Sequence, residues 1–71
     1  MRIVFTDHTK ARLLERNISI SLVRQAIKNP DYEKQTFGGK TQIRKKFGDK
    51  VLEVIYAKYF NKIIVVTSCY L

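Results

Sequence analysis

Near the start of the chain, His8, Arg12 and Arg16 recur at a spacing of four residues. On a helix this spacing puts all three side chains on one face. His8 is the only histidine in the chain, and the positive end of a helix dipole, together with the neighbouring Arg12, disfavours its imidazolium form. A neutral imidazole could take the proton of an RNA 2′-hydroxyl while Arg12 stabilises the charge that grows on phosphorus. The alternative is a structural role, in which His8 caps or packs at a strand–helix junction and both arginines are solvated or paired with acids such as Glu15.

A second basic cluster lies in residues 40–50, which we call the basic hairpin. Its basic residues are Lys40, Arg44, Lys45, Lys46 and Lys50, and its only acidic residue is Asp49. Strand alternation separates Gln42, Arg44 and Lys46 on one face from Thr41, Ile43, Lys45 and Phe47 on the other. We expect Arg44 and Lys46 to face solvent.

The basic hairpin has two interpretations. In the first, it follows a phosphate backbone, with Arg44 binding phosphate oxygens and Tyr56, Tyr59 or Phe37 stacking on bases. In the second, the lysines only keep an exposed hairpin soluble and block edge pairing, and the rings pack within the sheet.

Composition limits the number of domains, the kind of partner and the cellular location that we expect. The 71 residues predict one domain, 1–71, with 45% hydrophobic residues and a net charge of +8 from 14 Lys/Arg against 6 Asp/Glu. The excess of positive charge favours a polyanionic partner. The only cysteine, Cys69, has no disulfide partner, one Cys and one His cannot form a zinc site, and no cofactor is expected. No secretory signal or membrane-spanning run is visible, so we expect a cytoplasmic protein that does not bind a membrane.

The elements that position these residues begin with a strand at residues 2–5 and two helices. Thr6 and Asp7 are capping residues before a helix over about 8–17, whose apolar stripe we predict to be Ala11, Leu14 and Ile18. Ser19 is a candidate N-cap for a second helix, which buries a face and ends at residues 28–30. The residues that we predict on that face are Ile20, Val23, Ala26 and Ile27.

The second half of the chain has strand periodicity. The predicted strands are 31–37, 40–47, 51–60 and 63–70, separated by turns at 38–39, 48–50 and 61–62. The last strand is rich in β-branched residues, which predicts a central place in the sheet. The fold class is therefore α+β in the order β-α-α-β-β-β-β, with two short helices packed on an antiparallel meander sheet and the first strand pairing with a distant one.

Five segments carry a resemblance to a known family: Phe5-Thr6-Asp7-His8-Thr9-Lys10-Ala11-Arg12, Arg16-Asn17-Ile18-Ser19, Ala26-Ile27-Lys28-Asn29-Pro30, Lys50-Val51-Leu52-Glu53-Val54 and Lys62-Ile63-Ile64-Val65-Val66-Thr67. They resemble the corresponding segments of the small prokaryotic and viral family called domain of unknown function 4258. Asn17 stands where the family usually has glycine, and asparagine also tolerates the left-handed conformation.

The element order is also similar to that of RelE/ParE-type toxins and related metal-independent ribonucleases. This resemblance implies functional residues on the sheet and the adjacent helix. The matching candidates are His8, Arg12, Arg44, Lys45, Thr67 and Tyr70, of which only His8 and Arg12 lie in a family motif.

Three functional hypotheses follow. The first is a metal-independent, toxin-like endoribonuclease with His8, Arg12 and Tyr70 in catalytic roles. Its predicted nucleic-acid-binding residues, with RNA preferred to DNA, are Arg16, Arg44, Lys45, Lys46, Tyr56 and Thr67. The second is a non-catalytic nucleic-acid-binding module. The third is a protein-interaction domain that docks an acidic antitoxin-like partner or a second copy of itself.

Overall fold

The computed structural model describes residues 2–71 and contains two helices and a five-stranded sheet. The elements in chain order are β1 (Arg2–Val4), α1 (Asp7–Glu15), α2 (Ile20–Lys28), β2 (Tyr32–Gln35), a short 3-10 turn (Phe37–Gly39), β3 (Lys40–Phe47), β4 (Lys50–Tyr59) and β5 (Lys62–Tyr70). The predicted α+β class and element order are confirmed. Within residues 2–71, no helix has the length and apolar character to cross a bilayer.

Both helices begin at the capping residues that the sequence indicates, and α2 ends at Lys28 as predicted. α1 ends at Glu15, two residues before the predicted end at about residue 17. The Thr6 hydroxyl accepts a hydrogen bond from the backbone N–H of Thr9 at 3.1 Å, and the Ser19 hydroxyl accepts one from Ser21 N–H at 3.1 Å. These bonds satisfy backbone donors that the first turn of a helix leaves unpaired. Between the helices, Asn17 has a φ of 58°, the left-handed conformation that asparagine tolerates.

The sheet is mixed, with strand order β1-β5-β4-β3-β2. The chain from β2 to β5 forms the predicted antiparallel meander, and β1 pairs in parallel with the distant β5. β4 is the middle strand, and β5 is an interior strand beside it. The α+β prediction therefore needs one refinement, the parallel β1–β5 pair.

The core lies between the helices and one face of the sheet. On the helix side it contains Leu13, Val23 and Ala26, and on the sheet side its centre is formed by fully buried residues. The largest of these on the sheet are Ile43, Leu52, Val54 and Val65. The opposite face of the sheet has no helix on it within residues 2–71.

One prediction about α1 is wrong. Leu14 is 82% exposed and Ala11 is also exposed, whereas Thr9 and Leu13 are 5% and 2% exposed. Ile18, the third predicted member of the stripe, is buried as expected. In α2, Val23 and Ala26 are buried as predicted, while Ile20 is 37% exposed.

The cause of the α1 error is that Leu13 and Leu14 are adjacent, so the apolar pattern fits two helix rotations about 100° apart. In the observed rotation Leu13 is buried, and the Thr9 hydroxyl donates a hydrogen bond to the carbonyl oxygen of Val65 at 3.1 Å. A buried hydroxyl needs such a partner.

A β-bulge shifts the alternation of β5. Tyr56 pairs with Val65 but the preceding Ile55 pairs with Thr67, so Val66 is an extra residue in β5. Beyond the bulge, Ser68 lies opposite the buried Val54 and shares its face of the sheet. The bulge therefore turns Ser68 toward the core side of the sheet, where α1 lies.

Candidate functional site

The site begins with an incomplete sheet edge. β1 pairs with β5 only from Lys62 to Ile64, so the rest of β5 has no strand neighbour on that edge within residues 2–71. α1 supplies side chains there instead. The Thr9 hydroxyl donates to the Val65 carbonyl oxygen, and the Arg16 Nη1 group donates to the Ser68 carbonyl oxygen at 2.8 Å. These bonds join the helix to the strand, in addition to the core packing of Leu13 and Val65.

Between α1 and this edge lies a cleft of about 240 Å³, which we call the α1–β5 cleft. Its helix side is lined by His8, Thr9, Arg12, Leu13 and Arg16. Its strand side is lined by Val66, Thr67 and Ser68, the residues at and after the bulge. Four residues predicted from sequence, His8, Arg12, Arg16 and Thr67, are therefore together on one concave surface.

The cleft is electropositive. In the part of the chain that the structure describes, none of its lining residues is acidic. The nearest ion pair joins Arg12 Nη1 to Glu15 Oε2 at 4.0 Å, with the two side chains 52% and 66% exposed. Pairs of this kind contribute little because water screens them. Arg12 can therefore exchange Glu15 for an anionic ligand at small cost.

Arg16 is oriented by the strand. Its Nη1 group donates to the Ser68 carbonyl oxygen and lies 3.4 Å from the Thr67 hydroxyl oxygen. A guanidinium has five N–H donors, so an arginine fixed to the protein through one nitrogen can present the other donors to a phosphate. Fixing the group in advance reduces the entropy that binding would otherwise cost.

Ser68 is an unusual member of the cleft lining. The residue is 2% exposed, and its hydroxyl oxygen has no hydrogen-bond partner within residues 2–71. Burial of a hydroxyl without a partner is unfavourable. The cleft floor therefore contains a polar group that the fold alone does not satisfy.

The groups in the cleft suit acid–base and phosphate chemistry. An imidazole can transfer a proton, and guanidinium groups can stabilise negative charge that develops on a phosphate. No cluster of three or more His, Cys, Asp or Glu side chains that could hold a metal ion occurs among residues 2–71.

Residues 5–69 match the family described as Domain of unknown function (DUF4258). The chain belongs to this family. The resemblance that the sequence motifs indicate is confirmed over nearly the whole length of the chain. No curated protein and no solved structure matches the chain. The likeness to RelE/ParE-type toxins stays a prediction.

The basic hairpin of this DUF4258 domain has a different environment from the α1–β5 cleft. Glu53 Oε2 accepts hydrogen bonds from Gln42 Nε2 at 2.7 Å and from Arg44 Nε at 3.0 Å. The Arg44 guanidinium also lies 5.3 Å from the centroid of the Tyr32 ring. Arg44 and Glu53 alternate with the buried Ile43 and Val54, so the pair lies on the sheet face opposite the helices.

The next two residues of the hairpin contact Asp31. Lys45 Nζ lies 3.8 Å from Asp31 Oδ1, and the backbone N–H of Lys46 donates to Asp31 Oδ2 at 2.8 Å. The Lys45 side chain is 19% exposed, while Lys46 is exposed. Arg44 and Lys45 thus have acidic partners, and neither they nor Lys46 line the α1–β5 cleft.

The aromatic residues predicted for the site are also outside the cleft. Tyr56 is only 8% exposed and packs in the core, so its ring cannot stack on a base. Burial, and secondarily the charge of Glu33, raises the pKa of Tyr56 above 10.0, partly opposed by the Thr41 hydroxyl. Tyr70 packs against the core, with Lys50 Nζ 5.3 Å from its ring centroid. Tyr59 and Phe37 are 57% and 98% exposed.

Four residues of the cleft lining were not among the predicted site residues: Thr9, Leu13, Val66 and Ser68. Thr9 lies inside the family motif, but nothing in its position shows that its hydroxyl meets β5. Strict alternation from Ile63 and Val65 places Thr67, not Ser68, on the core side. The bulge at Val66 reverses this. The only sequence signal is that the polar pair Thr67-Ser68 follows the apolar run Ile63-Ile64-Val65-Val66.

Proposed function

We propose that this protein binds nucleic acid, RNA in preference to DNA, and that the α1–β5 cleft contacts the phosphate backbone. The observation that supports the proposal is the common placement of His8, Arg12 and Arg16 on a cleft that has no acidic lining residue within residues 2–71. The net charge of +8 adds attraction at longer range. The lone Cys69, without a disulfide partner, is consistent with a reducing cytoplasm.

The test is a binding titration with a fluorescent RNA oligonucleotide at several salt concentrations. We expect affinity that falls linearly on a log–log plot against salt, because each contacted phosphate releases counterions. An acidic polypeptide of the same length serves as a competitor. Absence of binding, binding without salt dependence, or equal competition by the acidic polypeptide would contradict the proposal, and the last result would favour the protein-docking alternative.

A second candidate function is metal-independent cleavage of RNA. It is favoured by one specific observation, that the only imidazole lines the same cleft as two guanidinium groups. In this reaction His8 accepts the proton of the 2′-hydroxyl, and the 2′-oxygen then forms a bond to phosphorus. The bond from phosphorus to the 5′-oxygen breaks, and that oxygen takes a proton from water. The products are a 2′,3′-cyclic phosphate and a 5′-hydroxyl, with Arg12 and Arg16 stabilising the charge on the phosphate oxygens.

Cleavage is tested with purified protein and RNA in the presence of a chelator. We expect products with cyclic phosphate ends, and we expect His8→Ala to lower the rate by roughly 10²–10⁴-fold, the range for loss of a general base. Lys10→Ala, on the same helix, is the matched control and should retain the wild-type rate. No cleavage of any RNA, or full activity in His8→Ala, would leave only the binding function.

A further inference from the structure

His8 and Arg12 lie in α1 and Arg16 is its C-cap residue, so the three backbone positions are regularly spaced along the helix axis. Positions four residues apart on a helix are about 6 Å apart along its axis. His8, Arg12 and Arg16 therefore form a ladder about 12 Å long beside the α1–β5 cleft. The backbone rise from one of these positions to the next is close to the distance between consecutive phosphates along one strand of RNA, so side chains at this spacing can reach three phosphates in a row.

The shape of the cleft favours one strand over two. Its volume of about 240 Å³ is below the roughly 300–1,000 Å³ of pockets for drug-sized ligands. It can receive the phosphate groups of one strand that lies along α1, but a base-paired duplex is too wide to enter. The bases of a single strand are free to turn away from the helix, whereas those of a duplex are stacked and paired.

Placement distinguishes the ladder from the other positive residue of α1. Lys10 is exposed and does not line the cleft, and its position is about 160° around the helix from Arg12. Its charge equals that of Arg12 or Arg16. A comparison among these three residues therefore separates the effect of position from the effect of net charge.

We propose that the α1–β5 cleft binds single-stranded RNA in an extended form along α1, with consecutive phosphates at His8, Arg12 and Arg16. This inference rests on the proposed nucleic-acid binding and adds the strand state of the ligand and its register on the helix. Arg16, which is hydrogen-bonded to β5, binds the phosphate at one end of the three-phosphate segment. The Arg12 guanidinium breaks its contact with Glu15 and binds the middle phosphate.

The experiment compares an unstructured RNA oligonucleotide with the same strand annealed to its complement. Binding of each RNA is measured by fluorescence anisotropy at salt concentrations from about 0.05 M to about 0.5 M. We expect the single strand to bind more than about tenfold more tightly at low salt. Each phosphate contact contributes about −0.7 to the log–log slope for a single strand. Arg12→Ala and Arg16→Gln should therefore each make the slope shallower by about 0.7, and Lys10→Ala should not.

The variants are chosen to keep the fold. Arg12 is largely exposed, and glutamine at position 16 retains an N–H donor for the Ser68 carbonyl oxygen. Equal binding of the duplex, or an equal slope change in Lys10→Ala, would overturn the inference while leaving nucleic-acid binding intact. Failure of both oligonucleotides to bind would instead remove the proposed function itself.

Discussion

The α1–β5 cleft and the basic hairpin are both rich in positive residues, but they differ in the partners of those residues. In the hairpin, Arg44 is bound to Glu53 and Lys45 lies near Asp31. In the cleft, Arg12 has only a loose and exposed contact with Glu15 at 4.0 Å, and Arg16 is bound to a neutral carbonyl oxygen. The cleft therefore has positive charge that is available to a ligand, while part of the hairpin charge is neutralised locally.

The difference shows that a count of basic residues does not locate a binding surface. The hairpin has the denser run of positive charge in the sequence. An arginine that already donates to a partly buried carboxylate, as Arg44 does to Glu53, must lose that bond before it can bind a phosphate, and this loss offsets much of the gain. The following changes, from the largest expected effect to the smallest, test whether the two regions differ in this way.

The largest effect is expected from Thr9→Val, which removes the hydrogen bond between α1 and the free edge of β5. The Val65 carbonyl oxygen would lose its side-chain partner in a buried position, at a cost of about 1–3 kcal/mol in the free energy of unfolding. RNA affinity should fall as well, because α1 carries His8 and Arg12 and places Arg16 at its C-terminal end beside β5. Urea denaturation and fluorescence titration measure the two quantities.

Thr9→Ser is the matched control, because it keeps the hydroxyl and removes one methyl group. It should retain most of the stability and the RNA affinity. If Thr9→Val and wild type unfold at the same urea concentration, the bond to Val65 does not hold the cleft together.

A smaller effect is expected from Glu53→Gln in the basic hairpin. Loss of the carboxylate removes the charged partner of Arg44, which is 42% exposed, so solvent screening keeps the cost in stability near 1 kcal/mol. The released Arg44 should then contact phosphate, and the log–log salt slope for a long single strand should become steeper by up to about 0.7. The measurement is the same titration, made with wild type and variant in parallel.

Asp49→Asn changes the net charge by the same amount in the turn of the same hairpin. Asp49 forms no ion pair within residues 2–71, so this variant should leave the slope unchanged. If wild type, Glu53→Gln and Asp49→Asn all have the same log–log salt slope for RNA binding, Glu53 does not restrain Arg44.

The smallest effect is expected from Ser68→Ala. The substitution removes a buried hydroxyl that has no partner within residues 2–71, so the variant should be as stable as wild type or more stable by up to about 1 kcal/mol. Thermal unfolding followed by circular dichroism gives the result. A clear loss of stability would mean that the hydroxyl makes a bond in solution, with water for example.

Much of the fold was predictable because its signals are local. The caps at Thr6 and Ser19, the end of α2 before Pro30 and the turn at Gly48 depend on nearby residues only. The rotation of α1 was not predictable, since Leu13 and Leu14 fit two faces equally well. The deciding contact, from Thr9 to Val65, joins residues far apart in the chain.

The site was predictable in part for the same reason. Helical spacing alone put His8, Arg12 and Arg16 on one face, and all three line the α1–β5 cleft. The neutralisation of Arg44 by Glu53 depends on the strand register, and the turn of Ser68 toward the core depends on the bulge at Val66. Neither feature has a signal within its own stretch of sequence.

The most direct test compares two double variants that each remove two of the positive charges from the net +8. One, Arg12→Ala with Arg16→Gln, changes the cleft, and the other, Lys46→Ala with Lys50→Ala, changes exposed positions of the basic hairpin. With a single-stranded RNA at 0.1 M salt, we predict a loss of affinity of about tenfold or more for the cleft variant and less than about threefold for the hairpin variant. Equal losses, or a larger loss in the hairpin variant, would contradict the assignment of the binding surface to the α1–β5 cleft.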